Sequence, residues 1–141
     1  MKNTTSAQIV SETIELDFVD PEGEAASLEA ELVFDPADPF AITMVFQAGE
    51  QEVLWTFGRE LLLEGRYEPT GDGDVQVWPC LSSEGNAVII VELRSPEGEV
   101  LVQTSARNVD HFLGAMLASV AVGQESTFVD FDDELISILS A

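Results

Sequence analysis

Over its amino-terminal two thirds the chain alternates apolar and polar residues with period two, which restricts it to strands that bury one face of a sheet. Ile14, Leu16 and Phe18 fall on one side, Glu15 and Asp17 on the other. Leu28, Ala30, Leu32 and Phe34 repeat the pattern against Glu29 and Glu31. Phe40, Ile42, Met44 and Phe46 follow the breaker Asp35-Pro36-Ala37-Asp38-Pro39. A short turn, Ala48-Gly49-Glu50-Gln51, leads into Val53, Trp55 and Phe57, so the third and fourth strands are expected to form an antiparallel hairpin. Residues 59–64 are good helix formers and stop at Gly65, a residue suited to a left-handed cap, which predicts one or two helical turns. Turn chemistry fills residues 69–74, and strands are predicted at 75–78, 87–93 and 100–104, the last two joined through Ser95-Pro96-Glu97-Gly98-Glu99.

From Asn108 the period becomes helical. Val109, Phe112, Leu113, Met116, Leu117 and Val120 form one stripe, with Asn108 or Asp110 as the expected cap, and this helix should cover a sheet face. A second stripe, Phe131, Leu135, Ile138 and Leu139, has Asp130, Asp132, Asp133 and Glu134 crowding its first turn, where the helix dipole favours carboxylates. Helices that segregate after strands give an α+β class: about seven mainly antiparallel strands, a short middle helix and two C-terminal helices. At 141 residues and 45% hydrophobic content, residues 1–141 are expected to make a single domain with a core of its own, residues 1–7 being a flexible tail.

Charge narrows the function. The chain has 27 acidic residues against Lys2, Arg59, Arg66, Arg94 and Arg107, a formal net charge of -22. Nucleic-acid binding draws its affinity from many Lys and Arg contacts to phosphate, and anionic membranes make the same demand, so both are disfavoured. The single cysteine, Cys80, has no internal partner, which fits a reducing compartment. The start of the chain carries no apolar signal core, and the longest apolar runs, such as 87–91, are too short to span a bilayer, so a cytoplasmic protein is expected.

Chemistry is hard to find. The one histidine, His111, is expected at the surface of a helix, without the nucleophile that a triad requires. One His and one Cys cannot supply zinc with its three or four ligands. Asp72, Asp74 and Gln76 superficially suggest a calcium loop, but no glutamate closes it, and a solvated turn is the better reading. Gly71-Asp72-Gly73 lacks a third glycine and precedes a strand, so it offers no helix amides to a phosphate. Trp55, Trp78 and Tyr67 are expected to be core residues in preference to a base-stacking platform. Carboxylate pairs are too abundant in so acidic a chain to single out an acid and base. No catalytic, cofactor-binding or metal residue is assigned, no cofactor is expected, and the chain is read as a non-enzyme.

Asp38-Pro39-Phe40-Ala41, Trp55-Thr56-Phe57-Gly58-Arg59-Glu60-Leu61-Leu62 and Glu64-Gly65 open a pattern continued by Pro69-Thr70-Gly71-Asp72-Gly73-Asp74-Val75 and Val77-Trp78-Pro79. Leu93, Ser95-Pro96-Glu97-Gly98-Glu99, Phe131-Asp132 and Glu134-Leu135 complete it. In this order the motifs resemble the SsgA-like sporulation and cell division proteins, most of all the SsgB branch. Phe40 stands where a tyrosine is common in the family, and Cys80 where serine is usual. The resemblance implies a fold similar to whirly-type single-strand-binding proteins, arranged as a ring-like homotrimer. It also implies an adaptor at division septa that brings the tubulin-like protein FtsZ to septum sites and promotes its polymerisation, with an SsgA-type paralogue as upstream partner. It brings no site residue with it, so the partner-binding surface is unassigned. A single-stranded nucleic-acid-binding protein is the alternative, suggested by the fold analogy alone.

Overall fold

The computed structural model describes residues 8–19, 25–96 and 98–127. The chain runs β1 (Val10–Val19), β2 (Ala25–Phe34), β3 (Ala41–Ala48), β4 (Gln51–Gly58), α1 (Arg59–Gly65), β5 (Thr70–Asp72), β6 (Val75–Leu81), β7 (Ala87–Ser95), β8 (Gly98–Ser105) and α2 (Ala106–Ser119), followed by a 3-10 turn, Glu125–Thr127. The strands form one sheet in the order β4-β3-β2-β1-β8-β7-β6-β5, and every pairing among the described residues is antiparallel. Each half is a four-stranded meander followed by a helix. The two halves meet where β1 lies beside β8, in register at Asp17 with Gln103 and Phe18 with Val102.

Alternation decides which face is buried. Ile14, Leu16, Ala30, Leu32, Phe34, Ile42, Met44, Val77, Val91 and Val102 point inward, and one continuous core joins both halves, so the sheet curls around its apolar side. The helix α2 closes this core with the expected stripe: Val109, Phe112, Leu113 and Met116 are fully buried and Leu117 packs against them. Each large side chain so buried contributes roughly 1.5–3 kcal/mol.

Seven strands lie where the alternation places them, and the hairpins at Gly49 and at Ser95 opposite Gly98 form as expected. Residues 70–72, read as turn, instead make the short strand β5, which folds back on β6 through Gly73 at φ +61°. Backbone pairing over three residues needs no apolar pattern. Phe40 sits in the turn before β3 and is exposed, because the chain starts its strand one residue later. Gly65 is not a left-handed cap: it is buried in the last turn of α1, and Arg66 closes the helix at φ -72°. A Cβ on Gly65 would collide with the Val77 side chain, so glycine lets α1 lie close on β6. The cap of α2 is Ser105, whose Oγ accepts from the Arg107 N–H, and Asn108 and Asp110 lie inside the helix. The expected second C-terminal helix, with Phe131, Leu135, Ile138 and Leu139, and the tail 1–7 lie outside the described residues.

Candidate interaction surface

Both α1 and α2 pack on the inner side of the sheet, so among the described residues the outer side is left to the strands themselves. Across β1 and β2 this outer side is polar, with Glu15 beside Glu29 and Thr13 beside Glu31. Beyond β2 it turns apolar. Val33 lies opposite Thr43, which lies opposite Thr56, and the two threonine hydroxyls are 2.8 Å apart. In the next row Glu31, Val45 and Leu54 stand side by side, and Leu54 is 60% exposed. Val33, Ala41, Thr43, Val45 and Leu54, with Asp35 and Asp38, line a shallow cleft of about 320 Å³. Exposed Glu29, Glu31 and Glu52 surround it. Such a patch, rimmed by acidic side chains, is a candidate contact surface on the sheet face.

Among the described residues the strand bordering this patch is the end of the sheet, β4 pairing with β3 alone. Ala48 and Gln51 flank a two-residue hairpin loop and form its closing hydrogen-bonded pair, so the backbone groups of Glu52, Leu54 and Thr56 point away from β3.

A buried clamp holds the chain beside this region. Arg59, 1% exposed, receives β4 into α1; its N–H donates to the Phe40 carbonyl at 2.8 Å. Its Nη1 donates to the Val120 carbonyl at 2.8 Å and its Nη2 to Glu125 Oε2 at 2.9 Å, while the guanidinium lies 5.6 Å from the Phe34 ring centre. The Gly123 N–H donates to Glu125 Oε1 at 2.7 Å. The Glu125 carboxyl is held below its ordinary range, first by its own backbone N–H and then, against the cost of burial, by Arg59 and Gly123. Arg59 thereby ties the segment after α2 to the start of α1.

The residues weighed for chemistry are scattered. His111 is exposed on α2, its Nδ1 2.7 Å from Glu12 Oε1 on β1. Cys80 is exposed near the end of β6. Among the described residues no group of three His, Cys, Asp or Glu side chains is placed to hold a metal. Asp72 and Asp74 flank Gly73 in the β5–β6 hairpin and are exposed. Trp55 packs at the edge of the core, but two of the three rings depart from the expected core position: Trp78 lies half-buried on the outer face opposite Ile90, and Tyr67 is 72% exposed beneath the Arg66 guanidinium at 4.6 Å. These rings share no face, so they make no stacking track. The arginines form no patch either: Arg59 is buried, Arg66 pairs with Asp110, and Arg94 pairs with Glu92 and Glu99.

A sequence profile described as Streptomyces sporulation and cell division protein, SsgA, matches residues 28–125. The chain belongs to the SsgA family. SsgB of Streptomyces coelicolor, a sporulation-specific cell division protein, is 45% identical over 112 residues, covering 79% of this chain and 81% of that one. A solved structure from work on SsgB mutations and longitudinal cell division during sporulation in the same organism superposes with a TM-score of 0.81 at 40% identity, covering 86% of this chain and 95% of its own. An SsgA-like sporulation-specific cell division protein from Thermobifida fusca gives a TM-score of 0.84 at 30% identity, covering 96% and 98%. Membership of the SsgA family accounts for the curled antiparallel sheet with its helices and places the chain with proteins of sporulation-linked cell division. No helix among the described residues is long and apolar enough to cross a membrane.

The apolar patch beside β4 was missed in the sequence, although a signal was present. Val33, Val45 and Leu54 occupy the polar phase of three alternating strands, and pairing alone shows that they lie together.

Proposed function

We propose that this protein is a non-enzymatic adaptor of sporulation-linked cell division, which brings FtsZ to septum sites and promotes its polymerisation, acting in the cytoplasm and concentrated at septa. The observation carrying the protein-binding part is the apolar patch at the β4 edge, which no described element covers, in a chain of the SsgA family. In this reading the protein assembles as a homotrimer, and three identical surfaces hold several FtsZ subunits together, raising their local concentration. An SsgA-type paralogue acts upstream.

The test is to add the purified protein to FtsZ and GTP at two salt concentrations and follow pelleting and light scattering, with retention of labelled single-stranded DNA measured in parallel. Co-pelleting and faster polymer growth without DNA retention are expected. An unaffected FtsZ would overturn the reading, and DNA retention falling steeply with salt would put nucleic-acid binding in its place.

A further inference from the structure

We infer that the open edge of β4, with the cleft beside Leu54, takes up an extended, lysine- or arginine-bearing segment of another protein as an added strand. Four observations converge. The edge is long: β4 pairs with β3 over eight consecutive residues without a bulge, whereas the opposite edge, β5, has only three residues. It is lightly guarded: Gln51–Gly58 contains no lysine, proline or bulge and is not short, its one charge is Glu52, and no described strand pairs with it on the far side. It has side-chain sites on both faces: exposed Leu54 and the cleft of about 320 Å³ outside, half-buried Val53 and Trp55 inside. Its surroundings are negative, with Glu29, Glu31, Asp35, Asp38 and Glu52 all exposed and no basic residue among the side chains lining the cleft.

Strand addition supplies affinity through the outward backbone groups of Glu52, Leu54 and Thr56, and alternate side chains supply selectivity. Apolar residues at every second position would lie over Val53 and Trp55, and basic ones between them would meet Glu52. Charge decides the occupant. At this edge a second copy would set two acidic rims against each other, whereas a cationic segment is drawn in.

This inference rests on the protein-binding reading, not on FtsZ being the partner. The test uses fluorescence anisotropy at low salt with a labelled heptapeptide alternating lysine and valine, alongside two controls: glutamate in place of lysine, and proline in place of both the central valine and one adjacent lysine, so that a ladder hydrogen bond is lost in either strand orientation. The lysine peptide should bind and both controls should bind at least about tenfold more weakly. Leu54→Lys and Thr56→Pro should each weaken the lysine peptide about tenfold or more, with the Leu54→Lys thermal midpoint unchanged. Leu81→Lys, the same charge change at a leucine 69% exposed elsewhere on the surface, should leave binding intact. Equal binding by Leu54→Lys and the wild type, equal loss in Leu81→Lys, tight binding of the glutamate peptide, or self-association that Leu54→Lys abolishes would each overturn the inference. Leu54→Lys protein that loses the peptide yet still accelerates FtsZ would separate this surface from the proposed function. Wild-type protein that binds the peptide but leaves FtsZ unchanged would fail the FtsZ reading alone.

Discussion

Arg59 is the residue whose setting departs furthest from its chemistry, a guanidinium 1% exposed with its charge answered by one carboxylate. Removing either partner strands the other. Arg59→Ala is expected to cost about 3 kcal/mol, toward the low end for a broken buried pair because Glu125 keeps some access to water. The pH dependence follows from Glu125. Its pKa is lower folded than unfolded, so its stabilisation is complete above the ordinary carboxylate value and disappears as pH falls through the lowered folded one. Urea midpoints taken from neutral pH into acid should therefore fall more steeply for the wild type than for Glu125→Gln. Nothing in the sequence distinguishes Arg59 from the other arginines: its burial comes from residues 61 and 66 positions away, Val120 and Glu125.

At the scale of elements, local pattern was a good guide to strands and a poorer one to helix ends. Seven strands and the buried stripe of α2 were legible because period and burial coincide in them. The start of α2 was not, since Ser105, Asn108 and Asp110 are all capable caps, and β8 must end before the helix begins. Pairing of Ser105 with Val88 shows that β8 runs to Ser105 itself. Ser105→Ala should thus cost about 1 kcal/mol in urea unfolding, while Asn108→Ala should change stability by less than about 0.5 kcal/mol. The error at Gly65 has the same origin, because glycine after a helix signals a cap unless a neighbouring strand, here β6 at Val77, requires the space.

For the whole molecule the dominant quantity is a net charge of -22 on 141 residues. Self-repulsion at that density opposes the compact state and is screened over about 8 Å at physiological ionic strength. Raising salt from low to physiological concentration should therefore raise the thermal midpoint, by ~3 °C if about 1 kcal/mol of repulsion is relieved, as calorimetry would show. Composition and period by themselves determined the α+β class, most strands and the core stripe of α2, because each depends on residues near one another in the chain, and the ordered motifs carried the family resemblance. Tertiary structure alone decided that the sheet joins its halves at β1 and β8, that Arg59 meets Glu125, and that Val33, Val45 and Leu54 share one face next to an open edge. Strand order and register bring together residues that are distant in sequence, and no local pattern encodes which strand is left without a neighbour.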